Sequence, residues 1–318
     1  MSRINVLSLF DGISCGQLAL QKAGIKVADY FASEIDKNAI KVTQHNFPNT
    51  TQLGDVLKLD GKSLPQIDLI MGGSPCQGFS LAGKQLNFDD PRSKLFFEFV
   101  RLMDELKPKY FLLENVKMKK EYQDIITKYV GVEPVFINSK EYSAQSRGRL
   151  YWTNIPLAKE SETKEVLLRD VLEPYHDGET IDDVEVCRQL SALLETSKYR
   201  NDGLWGATQG TSFLWRRDSE GRVLVMRPDK LKIQRIGRIG EGRHKSEIIT
   251  VLTQPFVFDG RDIRKINPLE AERLQTVPDN YTKLEGMRDG SRYKMLGNGW
   301  TVDVIAHIFK GIRDPQWQ

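Results

Sequence analysis

Three short stretches carry the residue types from which covalent chemistry is built. Gly72-Gly73-Ser74-Pro75-Cys76-Gln77-Gly78-Phe79-Ser80 places a cysteine in a glycine-rich loop. A thiolate is a strong nucleophile, and a loop at the carboxyl end of a strand lies at the ligand crevice of an α/β sheet, not in its core. Glu114-Asn115 closes the apolar run that begins at Tyr110, so Glu114 is expected to open onto the same crevice in a poorly solvated setting. In Gln145-Ser146-Arg147-Gly148-Arg149, alternate residues of an extended segment would share one face, presenting an amide and two guanidinium groups together. A nucleophile, a carboxyl group and a guanidinium suit addition to an electron-poor ring. The acid serves the ring atom that gains charge, and the arginine steadies and orients it. Each stretch also has a plainer account in isolation. A lone cysteine is usually an inert core residue, and an arginine-rich edge is usually a solvated surface.

A second constellation lies earlier in the chain. Asp11-Gly12-Ile13-Ser14-Cys15-Gly16 joins the first predicted strand to the first helix, the turn where a nucleotide-like ligand lies in a doubly wound sheet. Glu34 follows the second strand, 22 residues after Gly12, at the distance where ribose hydroxyls are held. Asp55, in Gly54-Asp55-Val56, stands after the third strand and could face an adenine amino group. The glycines do not follow G-x-G-x-x-G, and no P-loop Lys-Ser/Thr is present. That favours a nucleoside without a pyrophosphate, S-adenosylmethionine before NAD or ATP. Alone, the pattern also fits an ordinary strand–helix turn with incidental acids.

The elements that must position these residues are legible from periodicity. Ile4–Phe10, Val27–Ser33, Gln66–Gly72 and Tyr110–Glu114 read as buried strands. Gly16–Ala23, with Gly24 as its stop, Lys37–Asn46 and Ser93–Leu106, with Ser93 as a cap, read as helices. Strands and helices alternating at this length imply an α/β fold, a doubly wound and mostly parallel sheet covered on both faces. Beyond Pro156 the chain is more polar and only weakly periodic, and helices return at Asn267–Glu270 and Val302–Phe309. We therefore expect a catalytic and cofactor-binding domain over 1–156, a smaller domain over 157–262, and a segment 263–318 that returns to the first.

Composition excludes several classes. Charged residues make up 28% and the hydrophobic set 40%, an ordinary globular balance, and no apolar run nears the roughly 18 residues of a membrane span. Met1–Asn5 has no signal-peptide layout, so a cytoplasmic protein without membrane partners is expected. Cys15, Cys76 and Cys187 are too few and too scattered for a disulfide framework, and the four histidines form no metal-ligand pattern with them. Between Arg216 and Lys245 there are ten Lys/Arg against four Asp/Glu in a chain of net charge +3. A local basic excess of this kind points to a polyanion partner.

Taken in order, these motifs resemble the cytosine-5 DNA methyltransferase family along nearly the whole chain. The resemblance is carried by Phe10-Asp11-Gly12, Pro75-Cys76-Gln77, Glu114-Asn115-Val116 and Gln145-x-Arg147-x-Arg149. It continues through Pro268-x-Glu270-x-x-Arg273-x-Gln275-x-x-Pro278 and Gly297-Asn298-Gly299. Three departures, Ser74 before Pro75-Cys76, Ser14-Cys15 in the first loop, and Trp300 after Gly297-Asn298-Gly299, set it apart from the usual bacterial pattern. Ser74, Asp11 and Trp300 look like the animal de novo branch, whereas the length and the Gln-x-Arg-x-Arg signature look bacterial or viral.

The resemblance implies a Rossmann-like methyltransferase fold and methyl transfer from S-adenosylmethionine to C5 of a cytosine in duplex DNA. Cytosine explains why one site needs both a thiol and an acid. C5 is a weak nucleophile until a thiolate adds at C6, and that addition places charge near N3. Carried over by position, Cys76 is the nucleophile, Glu114 the N3 partner and Arg149 the O2 contact, while Arg147 helps to position Cys76 and the flipped nucleotide. Phe10, Asp11, Gly12, Glu34, Asp55, Val56, Pro75, Leu95, Asn298 and Trp300 would form the cofactor site. Pro75 also shapes the nucleophile loop, and residues 77–84 would close over the DNA. The region 157–262, where family members differ most, would read the target, which must be flipped out of the helix. A monomer is expected, with a restriction endonuclease as a possible companion.

Three competing readings are weighed against this one. A family member acting on tRNA cytosine is disfavoured by the length and basic character of the recognition region. A catalytically inactive DNA-binding regulator is disfavoured because Cys76, Glu114 and Arg149 are all present. A nicotinamide oxidoreductase is more distant, for want of a pyrophosphate loop.

Overall fold

In a computed structural model, the described residues are 3–74, 91–157 and 266–312, with isolated positions and short segments between 166 and 265. Pro75, Cys76 and the loop 77–84 lie outside them, as does most of the basic stretch 216–245. The chain divides into two compact units. One comprises Met1–Ser143, Arg147–Glu165 and Glu272–Gln318; the other comprises Ala144–Ser146 and Val166–Ala271.

The first unit is built on a seven-stranded sheet. Its strands are β1 (Ile4–Leu9), β2 (Val27–Ser33), β3 (Thr51–Gln52), β4 (Leu69–Gly73), β5 (Tyr110–Val116), β6 (Val135–Asn138) and β7 (Gly148–Thr153), in the order β3-β2-β1-β4-β5-β7-β6. Pairing is parallel from β3 through β5. It turns antiparallel where β7 lies between β5 and β6. The near-continuous apolar runs of the sequence follow from burial on both faces: Val6, Leu7, Leu9, Leu69, Ile70, Met71, Leu112 and Leu113 have no measurable exposure. Chain order reverses at β1, which has β2 on one side and β4 on the other, so the ligand crevice opens at the carboxyl end of β1.

Helices α1 (Cys15–Lys22), α2 (Lys37–Asn46), α3 (Pro91–Leu106) and α4 (Lys120–Val130) form between the strands. Gly24, at φ +75°, stops the chain after α1 as expected, and its N–H bonds the Gln21 carbonyl. Asp36 caps α2 by accepting from the N–H groups of Asn38 and Ala39. Helix α3 starts at Pro91 and not after Ser93. Proline suits a first helical position because its missing N–H would find no helical partner there. Its residues Phe96, Phe99 and Leu102 are fully buried at spacings of three, which is the stripe by which this helix joins the core.

The returning segment contributes α5 (Pro268–Leu274), α6 (Asp289–Asn298) and α7 (Val302–Phe309). Helix α7 is apolar nearly all round and packs on α1. The turn from α5 to α6 is pinned by Glu272, which has no exposure. Its carboxylate accepts from the N–H groups of Asn280 and Thr282 and from the Thr282 hydroxyl, and it pairs with Arg292 at 3.1 Å. In the second unit, β9 (Phe213–Arg217) lies between β10 (Val223–Met226) and β11 (Thr250–Leu252). A separate sheet orders β13 (Ile263–Lys265), β12 (Phe256–Phe258) and β8 (Trp205–Gly206), and both small sheets are antiparallel. The periodicity of this region is too weak to predict such short strands.

Candidate active site

The carboxyl ends of β1, β2, β4 and β5 bring the candidate residues to one edge of the sheet. After β1 the chain turns through Phe10, Gly12 and Ser14, all at positive φ of 56° to 59°. Only glycine takes that conformation without cost, so the two side-chain-bearing residues must be held by their surroundings. Phe10 packs against the core cluster, and Ser14 is buried and donates its hydroxyl to Asp11. The other oxygen of Asp11 accepts from Tyr30 at 2.7 Å. Burial pushes the Asp11 carboxyl up to about 6, although the hydroxyl donors pull the other way.

Glu34 ties this turn to β2. Its Oε2 accepts from the Gly12 N–H at 2.8 Å, and its Oε1 accepts from the N–H groups of Ile35 and Asp36 at 2.7 and 2.8 Å. One lone pair of Oε2 is left for a hydroxyl ligand. Asp55 Oδ1 accepts from the Leu57 N–H, whereas the Val56 side chain is buried in the core, so Val56 can meet a ligand only through its backbone. Leu95, half-buried, packs against the same core cluster as Phe10. Ile35 was missed by the sequence reading. It is 72% exposed directly after Glu34 and offers an apolar surface beside the ribose-type acid. An isoleucine next to an acid at the end of a strand was the available signal.

The chemistry end is tighter. Glu114 is 8% exposed, and its Oε1 meets Arg149 Nε at 2.9 Å. Trp300 Nε1 donates to the other oxygen at 3.1 Å. Arg149 reaches Glu114 because β7 is antiparallel, so its first residues stand beside the last residues of β5, with Arg149 opposite Val116. Asn115 donates to the Ser74 hydroxyl at 3.2 Å and thereby holds the start of the Cys76 loop. Cys15 is an inert thiol by contrast: it is buried, and desolvation pushes it up to about 12.

One expectation is corrected. Gln145 lies outside the extended segment that carries Arg149, because residues 143–145 are bends and β7 begins only at Gly148. Arg147 donates to the carbonyls of Gly297 and Gly299, at 3.0 and 3.1 Å, and burial lowers its pKa. It anchors the last turn of α6 and the loop that follows, with Asn298 exposed and Trp300 half-buried.

An α/β sheet with a glycine-bearing turn at its switch point, and with an acid and an arginine paired at the strand ends next to Ser74, has the layout of a group-transfer enzyme. A family profile described as C-5 cytosine-specific DNA methylase matches residues 4–314, and the chain belongs to that family. The Type II methyltransferase M1.ScrFI of Lactococcus lactis subsp. cremoris is 32% identical over 96% of this chain and 77% of its own length. The Type II methyltransferase M.NlaX of Neisseria lactamica is 29% identical over 95% of this chain and 94% of its own. The solved structure of the Entamoeba histolytica methyltransferase EhMeth shares the fold with a TM-score of 0.65 at 17% identity, covering 99% of this chain and 100% of that one. The protein is a DNA cytosine-5 methyltransferase with S-adenosylmethionine as methyl donor. Among the described residues no helix is long and apolar enough to cross a membrane.

Proposed function

We propose that Cys76 adds to C6 of a cytosine flipped out of duplex DNA, that Glu114 serves N3, and that Arg149 contacts O2 while it orients Glu114. The observation that carries this assignment is the Glu114–Arg149 pair at the end of β5. Next to it, Asn115 grips Ser74, two residues before Cys76. Thiolate addition makes C5 nucleophilic, and the carboxyl group hydrogen-bonds or protonates N3 as charge gathers there. Phe10, Asp11, Gly12, Glu34, Asp55, Val56, Pro75, Leu95, Asn298 and Trp300 form the cofactor pocket, with Glu34 Oε2 offering an acceptor to a ribose hydroxyl. Bound S-adenosylmethionine supplies an electrophilic methyl group. Arg147 acts on the cofactor loop and not on the base. Residues of 157–262 read the DNA sequence, the enzyme works as a cytoplasmic monomer, and a companion restriction endonuclease is supported by the Type II name of its relatives.

The covalent step has a direct test. After methylation the proton on C5 must leave before the thiolate is eliminated, and fluorine cannot leave as a cation. Duplex DNA carrying 5-fluorocytosine at the target should trap the enzyme in a denaturation-resistant, S-adenosylmethionine-dependent adduct. Cys76→Ala should form none and transfer no methyl groups while still binding DNA. Turnover on ordinary DNA without an adduct on the fluorinated target would refute the assignment.

A further inference from the structure

Glu114 is held from two sides by one closed circuit of contacts. Arg149 Nε reaches its Oε1 directly at 2.9 Å. Two residues earlier, Arg147 binds the carbonyls of Gly297 and Gly299. The loop so fixed delivers Trp300, whose indole N–H reaches Oε2 at 3.1 Å. Space for this contact depends on Gly73, the register partner of Glu114 on β4. A Cβ there would stand 2.8 Å from Glu114 Oε2 and 3.0 Å from Trp300 Nε1. With one donor on each oxygen, the carboxyl group is fixed in plane and in rotation, and each oxygen keeps a lone-pair direction for a substrate.

We propose that Trp300 is a positioning residue for the acid. Its N–H sets the orientation of Glu114 and ties it to the loop that also borders the cofactor pocket. This inference rests on the reading of Glu114 as the N3 partner. The tryptophan does more than fill space at the cofactor, since an apolar side chain would line a pocket equally well and leave Oε2 without its donor. Loss of a hydrogen bond to the carboxyl group in a desolvated site is felt in the transition state, where the acid must point at one ring atom.

The test is a double-mutant cycle on the full-length protein with saturating DNA. Trp300→Phe keeps an aromatic ring and removes the donor. It should lower kcat about ten-fold or more, with KM and the calorimetric Kd for S-adenosylmethionine changed less than about three-fold. In Glu114→Gln the charged Arg149 claims the single amide oxygen, so the amide NH2 faces the indole N–H, donor against donor. Adding Trp300→Phe to that variant should therefore cost less than about two-fold. Retained cofactor binding shows that each variant is folded. A Trp300→Phe penalty of equal size in both backgrounds, or one confined to KM for S-adenosylmethionine, would overturn the inference and leave Glu114 in its role. Near-normal kcat for Glu114→Gln alone would overturn the role of Glu114, and the inference with it.

Discussion

Asp11 offers the clearest link between a local structure and a solution measurement. Its carboxyl group is desolvated beneath the first turn and pushed up to about 6 from an ordinary 3.8. A carboxyl raised in the folded state binds its proton more tightly there than in the unfolded chain. The contribution of Asp11 to stability is therefore fully present below about pH 4 and is lost as the pH rises through about 6. The shift of about two units corresponds to about 3 kcal/mol over the whole range, and about 2 kcal/mol of it falls between pH 4.5 and 7.5. Asp11→Asn keeps the shape and an acceptor for the Tyr30 or Ser14 hydroxyl but cannot ionise. Thermal melts of the two proteins across this window isolate Asp11 from every other titrating group. At roughly 2 °C per kcal/mol for a chain of this size, the melting temperature of Asp11→Asn should gain about 4 °C on the parent between pH 4.5 and 7.5. Parallel curves would refute the argument, because they would mean that the carboxyl group is solvated in the folded protein.

Glu272→Ala should destabilise the first unit by about 3–5 kcal/mol, because it takes the buried carboxylate partner from Arg292 and the acceptor from the buried Thr282 N–H; a loss below about 1 kcal/mol in denaturant melts would contradict that. Sequence specificity is expected to lie between about residues 188 and 250, where the basic excess lies and no family motif is found. Exchanging this segment with that of a relative of different specificity should transfer the target site, read by bisulfite sequencing; an active hybrid that keeps the original site would refute the placement.

The sequence by itself determined the α/β class and the crevice. Val27–Ser33, Lys37–Asn46 and Val302–Phe309 form the elements their periodicity predicts, end for end, because short-range burial patterns fix period and length. It also placed Glu34 and Glu114 at strand ends, and residue type at such a position already suggests chemistry. What it did not hold was the partner of each group. Ser93 was passed over as a cap because Pro91 provides an earlier start. Spacing suggests an arginine at 147 beside the one at 149, yet it does not reveal that the Arg147 side chain reaches carbonyls 150 residues away. The Trp300–Glu114 contact spans 186 residues, and Glu272 binds groups on a loop and a helix that follow it. Such pairs are decided by which strands lie side by side and which segment returns to the sheet. An antiparallel β7 beside β5, and a C-terminal segment packed back on α1, bring distant residues into hydrogen-bonding range, and no local periodicity encodes that.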